Sequence, residues 1–155
     1  MDVFLIIKVL HILSSTVLFG TGMGIAFFML RSWASDNIHE KFFAARTTVL
    51  ADYLFTAPAV IVQPITGAWL VWQGGYEWLE LWLSLTYATY VIAGFCWLPV
   101  VWLQIQLKRM VIESMQSGDP LPPTYEKYFR IWFVLGWPAF IGLVVVFFLM
   151  VAKPV

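Results

Sequence analysis

An all-α membrane protein, a four-transmembrane-helix antiparallel bundle, is the fold class the sequence predicts, and three observations carry it. First, 61% of the 155 residues are hydrophobic and only 12% charged, with a mean hydropathy of +0.83, well outside the soluble globular range. Second, the chain holds four apolar runs, each long enough to cross a hydrocarbon core of roughly 30 Å. Third, short polar connectors separate the runs, and short connections make neighbouring helices antiparallel. The predicted spans are about 3–30, 47–73, 79–107 and 129–152, within one transmembrane domain over residues 1–155.

The first run, Val3 to Leu30, places Lys8 and His11 in an otherwise apolar helix. Phe4, Lys8, His11, Ser15, Leu18 and Gly22 recur at steps of three and four, which predicts one inward face. Met1-Asp2-Val3 lacks a basic region and the run is too long for a signal peptide, so a retained span is expected. A polar loop is predicted from Arg31 to Arg46, with Ser35-Asp36 as a helix cap. The second run, Thr47 to Trp72, is interrupted by Pro58 and Pro64, which kink a membrane helix and free carbonyls that neighbours must satisfy. Thr48, Asp52, Thr56, Gln63 and Thr66 form its polar stripe, and Gly74-Gly75 ends it. The third run, Leu79 to Leu107, is led in by Glu77, and Glu80, Ser84 and Tyr87 continue that face. Gln104, Lys108 and Arg109 mark its exit into a polar segment from Lys108 to Lys127, whose Gly118-Asp119-Pro120-Leu121-Pro122-Pro123 stretch no helix can cross. The last run, Phe129 to Ala152, carries Gly136, Pro138 and Gly142 and stops at Lys153-Pro154.

Of nine basic residues, Arg31, Lys41, Arg46, Lys108, Arg109, Lys127 and Arg130 share one side. The positive-inside rule then predicts the first and third loops in the cytoplasm and both termini outside, which is periplasmic in a bacterial inner membrane, and Tyr76, Trp72, Trp78 and Trp82 form an aromatic belt at the outer turn. Nine basic residues offset nine acidic ones, so nothing in the charge points to nucleic acid. Cys96 is the single cysteine, which excludes an internal disulfide or a CxxC motif. Gly20, Gly22 and Gly24 follow no strand and are not a nucleotide fingerprint. Gly20-x-x-x-Gly24 instead predicts close helix packing, in the bundle or between protomers of a homo-oligomer.

Two polar sites are expected. In the outer half Lys8 and His11 lie level with Glu80, Ser84, Tyr87, Gln63 and Thr66, with Lys8 pairing with Glu80 or Glu77. Toward the cytoplasm Asp52 meets Arg31, Arg46 and Arg130, either as a lock between helices or as an anchor for porphyrin propionates or an anionic headgroup. His11 has three readings: a heme or metal ligand, a proton relay, or an imidazole joining helices. His39, the other histidine, lies in the first loop, so a bis-histidine heme within one chain is excluded, and a lone histidine argues against a zinc or copper site.

The stretches Lys8 to Arg31, Ala51 to Leu70 and Leu135 to Pro154 resemble a family of small bacterial integral membrane proteins of unknown function. Lys8-Val9-Leu10-His11 before a glycine-containing helix, with the Pro58 to Gly67 pattern in the next, is also similar to the heme-binding membrane protoporphyrinogen oxidase family. That similarity implies heme b on His11 and electrons passed to an acceptor such as quinone. The third span has no counterpart of that family's motifs, so the substrate is not carried over. The expectation is a heme b-binding inner-membrane redox protein, acting in porphyrinogen oxidation or quinone-linked electron transfer, with Lys8, Glu80, Tyr87, Arg46, Asp52 and Arg130 about the cofactor. The alternatives are a non-enzymatic membrane subunit or lipid-binding module, and a proton-coupled transporter relaying through His11 and Asp52.

Overall fold

A computed structural model describes residues 2–154. It contains α1 (Val3–Trp33), α2 (Ile38–Ala51), a π-helical turn (Asp52–Thr56), α3 (Ala57–Gln73), α4 (Leu81–Ser117) and α5 (Pro123–Ala152). The α2, π-turn and α3 segments form one continuous rod, so four helical rods, Val3–Trp33, Ile38–Gln73, Leu81–Ser117 and Pro123–Ala152, are long and apolar enough to cross a membrane. The all-helical, four-span expectation holds.

The connectors are shorter than the sequence predicts. Residues 34–37 are all that remain of the first loop, and 118–122 of the third. Glu40, Lys41, Arg46, Lys108 and Arg109 are good helix formers whose charges sit comfortably on helical turns outside the bilayer. A rod of 36 residues reaches about 54 Å, well beyond the hydrocarbon core, so polarity marks where the helices leave the lipid rather than where they end. The true stops are local. The Asn37 side chain accepts from the His39 N–H to start α2, and Gly118, at φ 79°, supplies the left-handed residue that closes α4.

Loops 34–37 and 118–122 lie at one end of the bundle, here the basic end; the termini and turn 74–80 lie at the other, the turn end. At the basic end α1, α2, α4 and α5 enclose a core in which Met29, Ala44, Leu103, Leu107, Val111 and Phe129 are buried. Lys41 Nζ donates to the Ser32 and Trp33 carbonyls at 3.0 and 2.9 Å, capping α1. The Trp33 ring stacks on Phe129 with centroids 5.4 Å apart. Toward the turn end the rods separate into two pairs, α1 with α3 and α4 with α5. A small cluster of Val71, Trp82 and Leu83 closes that end.

Candidate functional site

A cavity of about 390 Å³ opens where the two helix pairs diverge. Three of its wall positions are glycines, Gly22 of α1, Gly94 of α4 and Gly136 of α5, and a Cβ placed on any of them would meet nothing within 4 Å. Aromatic side chains face the space from α4 and α5, among them Tyr90, Trp97, Phe133, Trp137 and Phe140. The wall is otherwise apolar except at one level, where Asp52, Thr56, Gln104 and Trp132 meet.

That level lies nearer the basic end of its rod than the turn end. Asp52 is about 21 Å along its rod from Ile38 and about 31 Å from Gln73. The π-helical turn begins at Asp52, whose carbonyl accepts from the Ala57 N–H five residues on. The extra residue widens the turn, an irregularity often found at functional sites, and both Asp52 and Thr56 are buried against the cavity. Side chains of Thr56, Gln104 and Trp97 approach the carboxylate as weak hydrogen-bond donors, at geometries too long or bent to count as full bonds. Among the described residues four buried polar atoms are left without a well-formed hydrogen bond: Asp52 Oδ2, Thr56 Oγ1, Gln104 Oε1 and Trp132 Nε1. Leaving such groups unpaired is costly in a low-dielectric interior, and in native proteins each calls for an explanation.

One tie crosses the cavity. Pro64 has no N–H, so the Val60 carbonyl one turn earlier loses its helical donor. The Tyr90 hydroxyl donates to that carbonyl at 2.8 Å, which links α4 to α3 as the proline-freed acceptor requires.

His11 belongs to a separate polar knot between α1 and α3. Its Nδ1 lies 2.7 Å from Thr66 Oγ1, while the Thr66 hydroxyl donates to the Val62 carbonyl at 2.7 Å. With that proton committed, imidazole Nδ1–H is the donor. Gln63 Nε2 donates to the His11 carbonyl at 2.7 Å. The ring rests on Gly67, where a Cβ would stand 3.3 Å from His11 Cε1. The predicted meeting of His11 with Gln63 and Thr66 is therefore present, and Thr48, Asp52 and Thr56 of the same stripe are buried as expected.

Other predicted site residues are placed differently. Lys8 is exposed, since α1 packs on α3 through His11 and Ser14. It forms no ion pair with Glu80 or Glu77: among the described residues the one ion pair is Arg130 with Glu126, at 3.0 Å. A flexible lysine this near the helix end can extend its ammonium to water. Glu80 instead accepts from Trp82 Nε1 and from the Glu77 N–H. Tyr87 is exposed, because the buried side of α4 at this level carries Leu83 and Thr86. The expected pairing of Asp52 with an arginine is absent. Arg31 and Arg46 are exposed, Arg46 lying over the Phe42 ring, and the Arg130 side chain is 74% exposed beside Glu126. The basic end projects past the bilayer, which takes these guanidinium groups away from Asp52. A Cβ placed on Gly20 or Gly24 would meet nothing within 4 Å, so no close helix approach is made at either.

Gln104, Trp132 and Tyr90 are cavity residues that sequence reasoning missed. Two glutamines, Gln104 and Gln106, interrupt the apolar run from Val100 to Leu107, and of these Gln104 is the buried one. Pro64, four residues after Val60, signalled that a donor was needed there.

The description "Predicted integral membrane protein (DUF2269)" belongs to a family that matches residues 5–154. The chain belongs to this family. Membership makes it an integral, multi-pass membrane protein in contact with the lipid bilayer, and the family's function is unknown. No curated protein and no solved structure matches the chain.

Proposed function

We propose that the protein binds a lipid-soluble, ring-bearing small molecule inside the membrane, one whose polar head donates hydrogen bonds. The observation that carries this reading is the set of four unpartnered polar atoms at one level of an otherwise apolar cavity. Gln104 Oε1 is an acceptor, as is Asp52 Oδ2 when the carboxyl is ionised, Thr56 serves either way, and the Trp132 indole only donates. A head that presents two donors and one acceptor satisfies them. Apolar walls with a few convergent polar groups are the usual make-up of a ligand site.

Of the expected quinone, the oxidised ring has no donor to offer, but its reduced form, a quinol, fits, since a hydroxyl can donate to Asp52 or Gln104. Porphyrin carboxylates fit this cavity poorly, because the lining contains a carboxylate and no basic residue. Heme b on His11 draws little support from the geometry: the ring is seated on Gly67, lies outside the cavity wall, and has only Nε2 to offer an iron. The visible spectrum of wild-type protein and His11→Ala tests that reading separately, and a Soret band lost in the variant would restore it.

The test of the cavity uses quenching of the wall tryptophans by decylhydroquinone, kept reduced, in lipid nanodiscs. Saturable quenching is expected, with binding about tenfold weaker for the dimethyl ether, which lacks both donors. Gly136→Phe, which fills the space, should abolish it while the far-UV spectrum is unchanged. Equal binding of the two compounds would overturn the reading.

A further inference from the structure

We infer that the head this cavity selects is a protonated amine, and that its ammonium competes with a proton for Asp52. The inference rests on the reading of the cavity as a site for a donor-headed amphiphile. Three observations narrow the donor from a hydroxyl to a cation.

The first is charge. Asp52 is only 4% exposed, and no Lys, Arg or His shares the cavity wall with it. The arginines that could have neutralised it stand exposed at the basic end. An ionised carboxylate this deeply buried needs either a cation or a proton as its partner, and the described cavity wall supplies no cation. The second is the balance of unpartnered atoms. Asp52 Oδ2, Gln104 Oε1 and Thr56 Oγ1 can all accept, against the single obligate donor Trp132 Nε1. An ammonium carries up to three donors and no acceptor, which suits the three oxygens. Trp132 remains for one acceptor elsewhere on the ligand. The third is the wall itself. Tyr90, Trp97, Phe133, Trp137 and Phe140 surround the space, and aromatic faces stabilise a desolvated cation through the ring quadrupole, tryptophan most of all.

The groups facing Asp52 leave its proton as the one that matters. On its own rod it meets Thr56. From α4 come Trp97, Gln104 and Tyr90, and of these only Tyr90 is titratable, with its hydroxyl committed to the Val60 carbonyl. From α1 and α5 the wall contains no titratable side chain. Binding of the ammonium to the carboxylate therefore requires Asp52 to have lost its proton. That proton leaves to solvent as the amine arrives, without any covalent step.

The experiment compares 4-phenylbutylamine with 4-phenylbutanol, matched in ring and chain, on the full-length protein in zwitterionic nanodiscs with tryptophan fluorescence as the readout. At about pH 8 the amine is expected to bind about tenfold tighter than the alcohol, as a charge-assisted bond exceeds a neutral one. Lowering the pH to about 5 should weaken amine binding while the amine itself stays protonated. Asp52→Asn should bring the two compounds within about twofold of each other and flatten the pH profile. The wild-type pH profile decides the matter independently should the variant be unstable. If amine and alcohol bind equally to the wild type, and both are lost in Gly136→Phe, the cation is overturned and the donor-headed reading stands. If neither compound nor decylhydroquinone binds, both readings fail. Amine binding that is independent of pH and unchanged in Asp52→Asn is partition into lipid and overturns the inference.

Discussion

The same helices pack densely at the basic end and stand apart around the cavity, and the contrast follows from which side chains face inward at each level. Near the basic end the inward positions are bulky and apolar: Met29, Leu107 and Val111 are at most 1% exposed. Farther along the same rods the inward positions become Gly22, Gly94 and Gly136, interleaved with polar groups. Lipid is as apolar as leucine, so helices associate in a membrane by packing and hydrogen bonds rather than by expelling water. A stretch that gives up both, with empty space and unpaired oxygens, is therefore not there for stability. The dense half holds the fold, and the open half is the space the proposed ligand would occupy.

The largest test of this contrast is a leucine in each half. Leu107 is fully buried, whereas Leu143 borders the cavity. Leu107→Ala should cost about 2–4 kcal/mol, because it opens a void in a packed region. Leu143→Ala should cost about 1 kcal/mol or less, since its side chain already lacks neighbours on one side. Unfolding in mixed micelles by added SDS, followed by circular dichroism, measures both. Equal costs would mean that the two halves are not energetically different.

Next comes the tie across the open half. Tyr90→Phe leaves the Val60 carbonyl without a donor and should destabilise by about 1–2 kcal/mol. The cause can be isolated, because Pro64→Ala restores a backbone N–H to that carbonyl. In the Pro64→Ala background the tyrosine should matter less, with a coupling of at least about 0.5 kcal/mol in the double-mutant cycle. Strict additivity would show that the hydroxyl serves something other than the freed carbonyl.

How much of this was legible in the sequence differs between the two halves as well. Hydropathy alone marks the four spans, since nothing else places so many consecutive apolar residues in one chain. The polar stripe through Thr48, Asp52 and Thr56 was readable from its period, and the meeting of His11 with Gln63 and Thr66 from matched depths. The helix ends were hidden, because Glu, Lys and Arg mark both a loop and a helix that has left the lipid. The partners of Asp52 were hidden for a different reason. Charge complementarity points to arginine, but the rods carry the arginines beyond reach and bring neutral Gln104 to the carboxylate instead. Tyr90 and Trp132 were masked by a background of 18% aromatic residues, in which one more ring has no distinguishing pattern.

The glycines offer a finer comparison. At Gly142, where α5 packs against α4, a Cβ would lie 3.2 Å from Ala93 Cβ. Gly142→Ala should therefore cost about 1 kcal/mol, as overpacking pushes two long helices apart. Gly136→Ala, with open space at its Cβ, should be neutral or stabilise by up to about 1 kcal/mol through helix propensity. The same SDS titration distinguishes the two signs. A loss at Gly136 would mean that the cavity closes in the membrane.

The smallest effects separate the contacts that hold the basic end from those that only decorate it. Lys41 binds two carbonyls at the last turn of α1, so Lys41→Met should lower stability by about 0.5–1 kcal/mol, through the lost cap and the unopposed helix dipole. Arg130, although it forms the ion pair with Glu126, holds that partner with a side chain that is 74% exposed. Water and salt screen such a pair, and ordering two long side chains offsets its attraction. Arg130→Ala should leave the unfolding midpoint unchanged within error, in low salt as in high. The packing of Trp33 on Phe129 does not need that charge, because the stacked rings are already in contact. A clear shift on removing Arg130, larger than that from Lys41, would mean that the basic end is held by its charges rather than by its core.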